Sequence, residues 1–386
     1  MKLFIKLTLL VMCFYLQACV TTKEVPLSSV SDSFSKKDPK LTIFKFNQLL
    51  EKALNEQDTE FLKQQLNIKA INKKIHLKHP YLLNTQNKAY KLSNTLATNY
   101  LSALMGVSNL FTWQYLFSTT DIDGDYIAHY RLNSDEGYNY LDIYLTHDDF
   151  KIVDQHSLSF EYSAIDFVYQ ISELMLNTAR DKELQHEVKS LKELFSAIKK
   201  GDFDTFQSIY KELDSSLKKE LVIGEFLLRM MGKLPAIQAQ LFWPEVVKFY
   251  EKINKDSLSF EGHYFEKKNY MKAIKSIFTL PEHALQDSKM QSELALLYAY
   301  EKSFERSYAA ATNAIIAEPY NTEAFIVLLQ VSFISKNYAI SLDVIDVLNA
   351  KFNFKMTEEE IKTLEEASGF LTSEVYATWL SNQVSS

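Results

Sequence analysis

The sequence predicts a mainly helical chain that carries one small α+β domain and ends in an α-solenoid of stacked helix pairs. Three observations predict it. The 386 residues include only 8 Gly and 7 Pro, too few for an all-β design with many tight turns. One short region, from Tyr126 to Val153, alternates apolar and polar residues with the period of two that a strand requires. Near the C-terminus, four columns of residues recur at a fixed spacing of 34.

The first residues have the layout of a secretory leader: Lys2 and Lys6, an apolar run from Leu7 to Leu16, then small residues before a break. The run is about half the roughly 20 residues that a membrane-spanning helix needs. Leu16-Gln17-Ala18-Cys19 resembles the lipobox of bacterial lipoproteins, a resemblance that covers these four residues. It implies that residues 1–18 are a signal peptide and that Cys19 is acylated as the first mature residue. An ordinary leader with an incidental cysteine is the competing reading. Cys13 leaves with the leader, so the mature chain has no disulfide to form. Val20 stands where lipoproteins kept in the inner membrane commonly carry Asp, so the resemblance implies a lipid anchor in the outer membrane, facing the periplasm. Residues 19–40 are rich in Ser, Thr and Lys with Pro26 and Pro39, and read as a flexible tether.

The formal charge is −7; residues 1–18 contain Lys2, Lys6 and no acid, which leaves −9 on the mature part. A mildly acidic chain is a poor match for nucleic acid or for wide contact with anionic lipid. Hydrophobic content of 47% is ample for a packed core.

Residues 41–180 read as the α+β domain. Phe44, Phe46, Leu49, Leu50 and Leu54 give a helix over 41–57, and Asp58 caps a second helix that runs to Leu66. A third helix is expected over 88–105. Three strands follow, at 126–132, 138–146 and 150–153, as an antiparallel meander turned by Asp135-Glu136-Gly137 and His147-Asp148-Asp149. A helix over 163–180 closes the domain. Residues 181–255 carry amphipathic helices and weaker echoes of a repeat at Gly201-Asp202-Phe203 and Gly232-Lys233-Leu234, so they are either divergent repeat units or a plain helical connector.

The clearest repeat column is Tyr270, Phe304 and Tyr338, each preceded two residues earlier by a lysine, Lys268, Lys302 and Lys336. The others are Phe260, Leu294 and Leu328; Ile274, Tyr308 and Leu342; Leu280, Ala314 and Leu348. With two helices per 34 residues, the stretch 256–353 resembles the tetratricopeptide repeat. The middle unit matches best, through Leu294, Ala295, Tyr298, Phe304, Ala314 and Pro319. Glu261 and Leu329 depart from the family's small residue, and Asn353 from its late proline. Residues 354–386 are expected to form capping helices, the first opened by the capping box Thr357 to Glu360. The resemblance implies a concave groove that binds another protein and includes Phe265, Leu296, Tyr300, Gln330 and Phe333.

Chemistry is harder to find. Asp121-Ile122-Asp123-Gly124-Asp125 has the look of a calcium loop, but its glycine is fourth and its twelfth position is Leu132, so a polar turn is expected. His76 and His79 lack ligand partners at metal spacing and read as solvated loop residues. No catalytic motif, metal or cofactor is expected. The predicted function is that of a membrane-anchored periplasmic adaptor that scaffolds an envelope assembly or secretion machinery, with a protein partner and no nucleic acid. The alternative is a ligand-binding or hydrolytic envelope protein whose α+β domain carries the activity and whose array is a docking arm.

Overall fold

The computed structural model describes residues 42–80, 94–98, 101, 104, 111–134, 137–231, 236–352, 354, 356–364 and 366–384. The leader, the tether, the Gly232 echo and most of the helix expected over 88–105 lie outside the described residues. The chain is mainly helical with one small antiparallel sheet, and it divides into two compact units, one up to Lys255 and one from Asp256 to Ser386.

The first unit opens with α1 (Ile43–Asn55), α2 (Thr59–Gln65) and α3 (Ile68–Lys78). Each start is written locally, because the side chains of Thr42, Asp58 and Asn67 accept the N–H groups of Lys45, Phe61 and both Lys69 and Ala70. The sheet has four strands rather than three: β1 (Thr112–Thr120), β2 (Tyr126–Ser134), β3 (Gly137–Leu145) and β4 (Ile152–Ser157), paired in that order. The strand that sequence patterning misses, β1, holds a bulge between Tyr115 and Phe117. The bulge resets the inward phase, so its residues do not alternate cleanly.

Helix α1 covers one face of the sheet. Phe46, Leu50 and Leu54 pack with Trp113, Tyr130, Leu132 and Ile143 in one core. The same helix also protects the edge strand. Asn55 bonds both the carbonyl (2.9 Å) and the N–H (2.8 Å) of Trp113, and Glu51 accepts the N–H of Tyr115 at 2.9 Å. An edge that would otherwise offer free backbone groups is thereby closed by side chains.

After the sheet, α4 (Ala164–Arg180) starts at the capping hydroxyl of Ser163. Four more helices follow: α5 (Glu187–Lys200), α6 (Phe203–Glu212), α7 (Leu221–Met231) and α8 (Ala236–Lys252). Aromatic pairs join them: Phe195 stacks on Phe226 at 4.5 Å, Phe167 meets Phe226 at 5.4 Å, and Phe203 meets Phe242 at 5.2 Å. Two helix pairs therefore fill residues 187–252, in the same compact unit as the sheet.

The second unit is a run of helix pairs: α9 (Glu261–Glu266) with α10 (Tyr270–Ile277), then, after the single turn α11 (Glu282–Leu285), α12 (Ser288–Tyr300) with α13 (Phe304–Ala317), and α14 (Thr322–Ile334) with α15 (Tyr338–Lys351). Helix α14 packs on both α12 and α13, so each pair is buried by the next. The lysine column has a backbone meaning. Lys268, Lys302 and Lys336 each sit in the left-handed region, with φ of 56°, 62° and 58°. The next residue's N–H then reaches back five residues, from Asn269 to Tyr264, Ser303 to Tyr298 and Asn337 to Ser332. This is the helix stop usually made with glycine, and Gly201 makes it between α5 and α6 with φ 69°. Because a side chain in this region costs about 1 kcal/mol or more, Lys302→Gly is expected to raise stability by about 0.5–1 kcal/mol, read as a higher urea midpoint; Lys302→Val is expected to lower it.

Three short helices finish the chain: α16 (Glu358–Thr363), α17 (Ala367–Leu371) and α18 (Glu374–Val384). The capping box is complete, with Thr357 and Glu360 each bonded to the other's backbone N–H. Ile361, Ala367, Phe370 and Tyr376 share one core with Leu329, Phe333, Val344 and Leu348, so these helices cover the last pair.

Candidate functional site

Two surfaces gather chemistry: the first helices of the pairs in the second unit, and the polar network beside the sheet in the first. On the helix pairs, Phe265 on α9, Leu296 and Tyr300 on α12 and Gln330 on α14 are all half-buried, leaving part of each side chain for contact. Phe265 and Tyr300 meet edge to face at 5.5 Å, and Tyr270 at the start of α10 stacks on Tyr300 at 5.3 Å. Three rings thus form one aromatic step between successive pairs. Phe333 does not belong to this surface. It is 1% exposed and stacks on Phe370 at 5.0 Å, because α17 fills the space that a groove would leave open there.

A further column joins the two helices of a pair. Ala273, Ser307 and Ser341, again 34 apart, are fully buried. The Ser307 hydroxyl donates to the carbonyl of Ala295 at 2.7 Å, and the hydroxyls of Ser341 and Ser332 lie 2.7 Å apart. Small residues here let the backbones approach, and the period of 34 was available to reveal them. Glu261, where the family keeps a small residue, is buried at the start of α9; burial, with Glu293 beside it, holds its carboxyl well above the usual range.

In the first unit, the Asp121–Asp125 turn joins β1 to β2 and is indeed polar. Its cation is the Lys74 ammonium from α3, which donates to Asp121 at 2.9 Å and Asp125 at 3.1 Å. Burial pulls the lysine's pKa down, but the two carboxylates outweigh it and the net shift is upward; Asp121 is held below the usual carboxylate range, the lysine outweighing its own burial. Two of the turn's three acids are thus paired with a side chain of the same fold. His76 and His79 also differ from expectation. His76 lies on α3, and His79 caps it, stacked on Tyr169 at 3.8 Å with Nε2 3.0 Å from Asp166. The lysine-rich segment carries too weak an apolar stripe to read as a helix.

Across the strands runs a chain of polar groups that no local motif announces. Thr119 Oγ1 lies 2.9 Å from His129 Nε2, and His129 Nδ1 lies 2.7 Å from Asp142 Oδ1. The Asp142 carboxylate can only accept, so His129 Nδ1 carries the hydrogen of that bond. The three residues come from β1, β2 and β3, and only the strand register brings them together.

Compared with known protein families, with characterised proteins and with solved structures, the chain matches none. Among the described residues, no helix is long and apolar enough to cross a membrane.

Proposed function

We propose that this chain is an acylated lipoprotein of the bacterial envelope, anchored through Cys19 in the outer membrane and facing the periplasm. Its C-terminal helix pairs are of tetratricopeptide type, and they bind another protein as part of an envelope assembly. The observation that carries the reading is the backbone stop repeated at Lys268, Lys302 and Lys336 with a period of 34, each at the turn of a helix pair packed on its neighbour. A solenoid of this build presents one long face with room for an extended polypeptide. The half-buried Phe265, Leu296, Tyr300 and Gln330 are the contact residues, and the aromatic step gives that face rigid anchors of the kind that dominate protein recognition. The leader supports the address: Lys2, Lys6, the short apolar run and the Leu-Gln-Ala-Cys segment.

In-cell crosslinking followed by affinity capture from membranes tests both halves. The wild-type chain is expected in the membrane fraction with a specific crosslinked partner. Cys19→Ser should move it to the soluble fraction, and Leu296→Glu should remove the crosslink while leaving fractionation unchanged. A wild-type chain that matures without acyl groups, or a partner captured equally by Leu296→Glu, would sink the reading.

A further inference from the structure

Glu261 is a buried acid that the fold leaves without a partner. Six acids are buried among the described residues, and the chain itself serves five of them. Asp142 has the His129 imidazole at 2.7 Å, and Asp154 accepts from the Ser163 hydroxyl at 2.6 Å. Glu187, Glu225 and Asp287 accept the backbone N–H groups of Asp214, Glu161 and Lys289 at 2.8, 2.6 and 2.9 Å. The sixth, Glu261, is 4% exposed, and its carboxyl forms no hydrogen bond or ion pair among the described residues. The charge that acts on it is another acid, Glu293. Burying a carboxyl in this way costs stability, and the next helix pair avoids the cost with Ala295 at the same position of the repeat. A residue kept against stability marks a position held for binding.

The acid lies on the surface already described. Glu261 and Phe265 are four apart on α9, and Glu293 precedes Leu296 by three residues and Tyr300 by seven on α12. Each acid therefore shares the stripe of its helix that carries the aromatic step. Lys289, one turn earlier on α12, pairs with Glu323 on α14. It draws Glu293 down, but burial prevails and that carboxyl is pushed up to about 7. No third His, Cys or acid joins Glu261 and Glu293 at metal-holding distance among the described residues, so a bare metal ion is not the match. Two carboxyls with like charge between them call for a cation, and ring faces beside them attract the same charge. A guanidinium meets both demands, because its planar fork bridges carboxylates and stacks on aromatic rings.

We propose that the partner segment docked on this face presents an arginine, whose guanidinium enters between Glu261 and Glu293 while its stem lies along Phe265 and Tyr300. The proposal rests on the reading of this face as a protein-binding surface, and adds the chemistry that the partner must bring.

A positional-scanning library of acetylated octapeptides, probed with the mature chain, tests it. Arginine is expected at one position in preference to glutamine or norleucine by about tenfold or more, and the preference should weaken as salt rises. In the double variant Glu261→Gln/Glu293→Gln the preference should vanish while the unfolding temperature stays the same or rises, a combination that a merely structural acid would not give. Glu293→Gln alone, at the half-buried position, should reduce the preference and decides the matter should the double variant fail to fold. Three results would overturn the proposal: no basic residue selected, arginine selected equally by the variants, or a wild-type dimer that the double variant lacks, which would give the face to a second copy of the chain. Crosslinking separates this from the broader reading. An envelope partner lost with Leu296→Glu but kept by the double variant would leave the protein-binding surface standing and remove the arginine from it.

Discussion

Replacement of Phe370 by alanine is expected to cost about 3–5 kcal/mol and to loosen the whole C-terminal end of the second unit. Phe370 is fully buried in a helix of five residues and meets the rings of Phe333 at 5.0 Å, Tyr338 at 5.7 Å and Tyr376 at 5.1 Å. A helix that short has no stability of its own, so its order comes from the ring that it inserts. Hydrogen exchange should accelerate over α14 to α18 and remain unchanged in α1 to α4. Exchange that stays slow across α15 and α17 would show that the terminal helices are not what closes the array.

The second large effect is expected at Lys74. Lys74→Ala removes a buried ammonium and leaves Asp121 and Asp125 facing each other, a loss of about 3–5 kcal/mol. The pH dependence has a definite sign. Asp121 is lowered from its ordinary value of 3.8, so its contribution is present above that value and is lost as pH falls through the lower folded one. Lys74 is raised from 10.5, so its contribution is present below that value and lost as pH rises through the folded one. Wild type should therefore hold this stability on a plateau between the two limits. The variant lacks that plateau, and acid, by neutralising the two carboxylates, should narrow its deficit. Urea melts across this range decide it; a constant deficit at all pH values would mean that packing, rather than charge, is lost.

What the sequence made legible was whatever is encoded within a few residues. Asp58 and Thr357 announced their helices because a cap bonds an N–H two or three residues on. The 34-residue columns were legible because repetition multiplies a weak signal. Strand β1 was hidden by one extra residue at Tyr115–Phe117, which shifts its inward side chains out of phase. The cation for Asp121 and Asp125 sits 47 and 51 positions away, at Lys74, where no spacing rule reaches. The same distance problem conceals Thr119, His129 and Asp142, which are ordinary strand residues until register aligns them. Phe333 was misplaced for a related reason. Its position in its own repeat is a groove position, but its surroundings are set by Phe370, beyond the repeats.

The left-handed stops at Lys268, Lys302 and Lys336 tie geometry to electrostatics. All three are exposed and occupy equivalent points of successive helix pairs, so a protein that is acidic as a whole carries a row of ammonium groups at these turns. Glycine at any of them would relax the main chain and, in the same step, delete one charge from the row. Backbone ease and local sign cannot be varied independently along that rim.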